Sequence, residues 1–173
     1  MSAFDYCFAA VVGVEGGFSI VESDPGNWTG GAVGVGRLHG TKFGISAAAY
    51  PTLDIEALTQ AQAKLIYRPG YWNRIAGDVL PPPIALVCFD AAVNQGPDRA
   101  ARWLQAAVGV AQDGVIGPVT EAAVQAHEVR PVLQEIIARR SVAYAGDTSR
   151  FWLGWYRRLA HIAGLAYTMP VNL

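Results

Sequence analysis

Val14-Glu15-Gly16-Gly17-Phe18 carries the most information in this chain, because it sets a carboxylate against two glycines at the end of an apolar stripe. Phe4, Phe8 and Val11 recur at helical offsets, so residues 4 to 15 read as a helix, and Glu15 falls on the next step of its inward face. Gly16-Gly17 reads as the C-cap of that helix. Burial penalises an unpaired carboxylate, and the negative end of the helix dipole disfavours a second negative charge. Both effects help a carboxylic acid keep a proton near neutral pH and donate it. The alternative is a glutamate that snorkels out of a frayed helix end or pairs with an arginine.

Outward from that point, the whole chain of 173 residues suits one domain, or a small catalytic unit joined to a helical appendage. Hydrophobic residues make up 52% and charged residues 16%, enough apolar material for a core. A net charge of −1 argues against a nucleic-acid binder, which usually carries a basic excess. Cys7 and Cys88 lie in apolar helical stretches and read as small buried hydrophobes more readily than as a disulfide, with one bridge left open. No C-x-x-C pair or clustered His/Cys set suggests structural zinc, so neither metal nor cofactor is expected. Met1-Ser2-Ala3-Phe4-Asp5 has no basic region or cleavage site, and no apolar run reaches membrane-spanning length. The expectation is a soluble cytoplasmic product without stable membrane insertion, monomeric by default, whose action outside the cytoplasm needs another export route.

Glycines crowd residues 16–45, interleaved with Phe18-Ser19-Ile20-Val21, Ala32-Val33-Gly34-Val35 and Lys42-Phe43-Gly44-Ile45, which read as short strands or extended loops. Gly34-Val35-Gly36 lacks the lysine and helix spacing of a phosphate loop. Ser46 caps a short helix that Pro51 ends. Thr59 and Gln62 form a capping box for a helix to Arg68, stopped by Pro69-Gly70. Pro81-Pro82-Pro83 reads as a stiff connector. Helices follow at about 84–94, 98–108 with Asp98 as cap, 118–128 with Pro118 in the first turn, 131–145 and 150–165. The fold class is mainly α, a helical bundle with a small β-region near the N-terminus.

A second carboxylate, Asp24, sits in the turn sequence Asp24-Pro25-Gly26. Two carboxyls in contrasting settings, one protonated and one ionised, are what glycoside hydrolysis requires. Thr41 offers a hydroxyl that can position a water. Taken singly, Asp24 is also an ordinary turn residue, and Thr41 a β-region threonine facing solvent. Aromatics and amides suit a sugar's apolar faces and hydroxyls: Trp28 beside Asp24 reads as a cleft wall, Tyr50 as a further platform, and Tyr71 and Trp72 as core. Asp90 and Asn94 share a helix face with Gln95 beside them, fit for substrate hydrogen bonds. The other reading of Asp90 is a buried polar network. Phe151-Trp152-Leu153-Gly154-Trp155-Tyr156-Arg157-Arg158 reads as a closing helix packed by its aromatics, with membrane contact as the alternative.

Several of these motifs, in this order, resemble glycoside hydrolase family 108. They are Glu15-Gly16-Gly17-Phe18, Asp24-Pro25-Gly26, Thr41-Lys42-Phe43-Gly44-Ile45-Ser46, Ala49-Tyr50-Pro51, Ala63-Lys64-Leu65-Ile66-Tyr67-Arg68, Tyr71-Trp72 and Phe89-Asp90-Ala91-Ala92-Val93-Asn94-Gln95-Gly96-Pro97. The resemblance implies an α+β lysozyme-like fold and an N-acetylmuramidase acting on bacterial peptidoglycan, of the kind bacteriophages use as endolysins. It makes Glu15 the catalytic acid, with Asp24 and Thr41 as the pair that serves the water. Between Asp24 and Thr41 the chain departs from the family's short form with a longer glycine-rich loop. Trp103-Leu104-Gln105, Asp113-Gly114-Val115-Ile116-Gly117-Pro118 and Thr120 resemble the peptidoglycan-binding region that follows the catalytic part. The expected organisation is a catalytic region over residues 1–80 and a helical binding region over 81–173, packed as one globule.

Overall fold

Helix α1 (Ala3–Val12) forms on the apolar stripe, with Phe4, Phe8 and Val11 buried along it. It stops short of the expected end. Gly13 takes a φ of +89°, outside the right-handed helical region, so the helix closes at the first available glycine. The computed structural model describes residues 1–13, 17–145 and 152–171, and Glu15 lies outside them. The chain forms two compact units, Phe8–Tyr67 on one hand and Met1–Cys7 with Arg68–Leu173 on the other. Among the described residues there are seven α-helices and one two-stranded sheet.

The Phe8–Tyr67 unit is built largely from turns. Strands β1 (Thr41–Lys42) and β2 (Ile45–Ser46) pair antiparallel, Thr41 opposite Ser46 and Lys42 opposite Ile45. The expected strand over 42–45 is therefore folded in its middle: Phe43 and Gly44 both have positive φ, 52° and 73°, as a tight two-residue hairpin turn demands. Ser19 bridges to Thr41 and Trp28 to Leu38. The expected strand at 32–35 is a turn, closed by Val35 N donating to Ala32 O at 3.0 Å. Ser46 starts a single helical turn, not a helix; its hydroxyl accepts from Ala49 N at 3.3 Å.

Helix α2 (Gln60–Tyr67) opens on the expected capping box: Thr59 N donates to Gln62 Oε1 at 2.9 Å, and Gln62 N to Thr59 Oγ1 at 3.3 Å. Its last residue fastens the hairpin, since the Tyr67 hydroxyl donates to Phe43 O at 2.8 Å and its ring meets Phe8 edge-on at 5.4 Å. Phe43, Ile45, Ile55 and Leu58 complete this core.

In the other unit, Arg68–Trp72 makes a π-helical turn through Pro69-Gly70, followed by a 3-10 turn, Asn73–Ile75. Helix α3 (Pro82–Gln95) is the hub. Residues 83–92 are all buried, the mark of a helix enclosed on every side. Pro82 and Pro83 sit in its first turn, where a missing N–H costs nothing, so two of the three expected connector prolines start the helix. Against α3 pack α4 (Pro97–Ala107), α6 (Val129–Ala145) and α7 (Trp152–Thr168). Phe4, Trp72 and Phe89 form an aromatic cluster with centroids 5.3, 5.5 and 6.1 Å apart. Gly96, not Asp98, is the N-cap of α4; Asp98 pairs instead with Arg102 at 2.9 Å, a hydrogen bond that holds its carboxyl below the usual range.

Helix α5 (Pro118–Ala126) begins at Pro118 as expected. Gln105, 1% exposed, ties α4 to the loop before α5. Its Nε2 lies within bonding reach of Asp113 Oδ1 at 2.6 Å, Val115 O at 3.0 Å and Thr120 Oγ1 at 3.3 Å, while its Oε1 accepts from Gly114 N at 2.9 Å. The Leu-Gln and Asp-Gly motifs of the second half thus close a loop upon one amide. In α7 the buried stripe is Leu159, Ile162 and Ala166, with Trp155 and Tyr156 half-buried against Tyr144 and Trp152 and Leu153 largely exposed. Among the described residues no helix is long and apolar enough to cross a membrane.

Candidate active site

Asp24 lies in a turn, as its Asp-Pro-Gly setting predicts, and there it is the N-cap of the 3-10 helix Pro25–Asn27. Its exposed carboxylate accepts from Gly26 N at Oδ1, 2.9 Å, and from Asn27 Nδ2 at Oδ2, 2.7 Å. Asn27 is 1% exposed. Its Oδ1 accepts from Val21 N at 3.0 Å, and its backbone carbonyl accepts from both His39 N at 2.9 Å and Gly40 N at 3.1 Å. The same Nδ2 reaches Thr41 Oγ1 at 3.5 Å. One buried amide therefore joins the two residues that the sequence proposes as partners.

Thr41 is held from behind. It exchanges two backbone hydrogen bonds with Ser19, each 2.9 Å, which fixes its half-buried side chain on the Asn27 side of the ribbon. Gly40, before it, has a φ of +74°, and a Cβ there would fall 2.4 Å from Ser19 O. Only glycine lets the two segments approach this closely. Asn27 was missed from sequence, although an Asn three residues after a turn-opening Asp is placed to bond with it.

Trp28 is half-buried and donates its indole N–H to Glu22 O at 2.8 Å, pinning the ring over the turn that precedes Asp24. Tyr50 is half-buried at the close of the Ser46 turn. Glu15, the expected catalytic acid, lies outside the described residues.

Asp90, Asn94 and Gln95 come together at the end of α3. Asp90 is 0% exposed, its oxygens taken by two arginines: Oδ2 accepts from Arg140 Nη2 at 2.5 Å and Oδ1 from Arg158 Nε at 2.7 Å. These contacts bind α3 to α6 and α7. Asn94 donates to the Asp90 carbonyl at 2.7 Å. The Gln95 amide meets the Tyr144 hydroxyl and accepts from Arg140 Nη2 at 3.3 Å. Asn94 and Gln95, with Arg99, Ala143, Tyr144 and Trp155, line a pocket of about 350 Å³. Arg158, read from sequence as an exposed arginine of the closing helix, pairs with buried Asp90 instead. Arg140 and Tyr144 were not singled out; a buried arginine inside a helix offers no periodic signal of its own. Among the described residues no group of three His, Cys, Asp or Glu side chains is placed to hold a metal ion.

A mainly helical chain with a small hairpin region, and a turn carboxylate linked to a threonine beside it, has the make-up of a lysozyme-like glycoside hydrolase. The comparisons give the family. The model of the family described as glycosyl hydrolase 108 matches residues 8–96, a span that holds Glu15, Asp24, Asn27, Thr41 and the end of α3. Among solved structures the chain is similar to that titled "Structure of Brucella abortus SagA", with 33% identity over 95% of this chain and 93% of that one and a TM-score of 0.77. No curated protein gives a significant match. The chain belongs to glycosyl hydrolase family 108.

Proposed function

We propose that the protein is an N-acetylmuramidase that hydrolyses the β-1,4 bond between N-acetylmuramic acid and N-acetylglucosamine in bacterial peptidoglycan, in the role of an endolysin. Glu15 protonates the leaving oxygen. Asp24 and Thr41 serve the water or the developing sugar cation. The observation that supports this reading is the Asn27 amide, which holds a carboxylate and a hydroxyl together at an exposed turn. Each Asp24 oxygen has one hydrogen bond from the protein, 2.9 and 2.7 Å, and an ionised carboxylate can accept about four, so capacity remains for a water. The Thr41 hydroxyl can both donate and accept.

The helical region over residues 81–173 is the part that holds the wall polymer, and the protein reaches the wall after release or by a separate export route. Turbidity loss of purified walls tests the whole reading. Glu15→Gln should lower turnover by about 10²–10⁴-fold, the usual contribution of a positioned acid, while still binding walls. Wild-type protein that binds walls without lysing them would leave a binding protein. Released muropeptides with anhydro ends would make it a lytic transglycosylase.

A further inference from the structure

The ribbon that carries Thr41 has two faces with different neighbours. Ser19 stands directly opposite Thr41 on one side, and Ser46 directly opposite it on the other. Residues paired in this way point their side chains to the same face, so three hydroxyls form one row across the strands. Alternation sends Phe18, Ile20, Gly40, Lys42 and Ile45 to the other face. That face turns toward the segment at residues 54–56: Phe18 and Ile20 line a small pocket with Asp54 and Glu56, and Lys42 Nζ donates to Glu56 O at 2.6 Å. A Cβ on Gly40 would fall 2.8 Å from the Phe18 ring and 2.9 Å from Ile20 Cγ1, which confirms their common side. The Asn27 amide, by contrast, meets Thr41 on the hydroxyl face, and Asp24 bonds to that same amide.

We propose that Ser19 is a substrate-binding residue of this site, its hydroxyl bonding to a polar group of the N-acetylated sugar whose glycosidic bond is cleaved. This rests on the reading above, in which Thr41 serves the water or the developing sugar cation. Ser19 and Thr41 exchange two backbone hydrogen bonds, and the Cα atoms of such a pair lie about 5.5 Å apart. That is about the width of a pyranose ring, so a sugar seated at Thr41 reaches Ser19 with its next hydroxyl or acetamido group. Ser19 is exposed, open to an incoming ligand. A serine hydroxyl both donates and accepts, as either sugar group requires. Ser46 is the weaker candidate of the row, because its oxygen already accepts from Ala49 N at 3.3 Å to close a turn.

Steady-state hydrolysis of soluble, peptide-free glycan strands by the full chain tests this. Ser19→Ala should raise KM about 2- to 10-fold, the worth of one neutral hydrogen bond, with kcat within about twofold of wild type. Ser19→Thr should keep most of the affinity, and Ser19→Val, which adds bulk without a hydroxyl, should lose more than Ser19→Ala. All three variants keep the backbone bonds to Thr41. If the side chain merely supported Thr41, the loss would fall on kcat instead. An unchanged KM in Ser19→Ala, or a loss confined to kcat, would overturn the proposal and leave the hydrolase reading standing. NMR titration with the same strands covers the converse: binding that weakens in Ser19→Ala, in a protein that cleaves no glycan, would sink the hydrolase reading alone.

Discussion

Asn27 donates to Asp24 across 2.7 Å with the same amide nitrogen that reaches Thr41 at 3.5 Å, so the turn and the hairpin are coupled through one side chain. Asn27→Ala removes that link and also strips Val21 N of its acceptor. Losing hydrogen bonds of this kind costs about 0.5–1.5 kcal/mol each, which urea unfolding would read. Lytic kcat should fall at least tenfold as Asp24 and Thr41 lose their common support. Asn27→Asp keeps an acceptor for Val21 but sets two carboxylates against each other, and should also lose activity. Full activity in that variant would mean that the donated hydrogen bond does not matter.

The Asp90 cluster makes a prediction about stability. Asp90→Asn leaves the fully buried Arg140 facing a neutral group, and breaking a buried pair typically costs about 3–5 kcal/mol. The midpoint of urea unfolding should drop accordingly. Replacing Asp90 with Leu and Arg140 with Met together should recover much of the loss, because both desolvation penalties then disappear. A double variant less stable than Asp90→Asn would show that the cluster adds stability beyond cancelling its own burial.

The sequence announces those features that local chemistry decides. The Thr59–Gln62 box, the Pro118 start of α5 and the Asp24 turn each follow from residues within one turn of one another. The apolar stripe of α1 was legible too, but its end was not: Gly13 and Gly16-Gly17 are equally good stops, and the structure uses the earlier one. The strand expected at 32–35 failed because four positive-φ glycines, Gly31, Gly34, Gly36 and Gly40, turn the backbone where valines suggest extension. In the candidate site, Asp24 and Thr41 were visible as residue types, whereas the amide joining them depends on a bond spanning fourteen positions. Arg140 and Arg158 reach Asp90 from helices 50 and 68 residues away, a separation that no periodicity encodes.

Gln105 is a structural clamp on the Asp113–Thr120 loop, whatever that half of the chain binds. Gln105→Ala leaves Gly114 N and Val115 O without their partner and should cost at least about 2 kcal/mol. Thr120→Val, which removes one of three acceptors, should cost less. Per folded molecule, hydrolysis of a short soluble glycan should be unaffected by either change. A large loss of turnover in Gln105→Ala at full folding would place this loop in the catalytic machinery instead.

Cys7 and Cys88 are free and buried, and burial pushes both thiols up to about 12, with Arg140 pulling Cys88 the other way less strongly. An unfolded chain gives up these protons from about pH 8.5, near the ordinary thiol value, while the folded chain keeps them. Their contribution to stability is therefore complete below that pH and is lost as pH rises toward 12, at about 1.4 kcal/mol per pH unit for each thiol. Urea midpoints measured from pH 8 to 11 should fall along that slope, and Cys88→Ala should make it shallower by one thiol's share, even though the loss of packing lowers stability at every pH. Alkylation by iodoacetamide at pH 8 should be negligible in the folded protein and rapid in urea. Fast labelling of the native chain would mean that at least one thiol is reached without unfolding, and the alkaline slope should then be shallower by the same share.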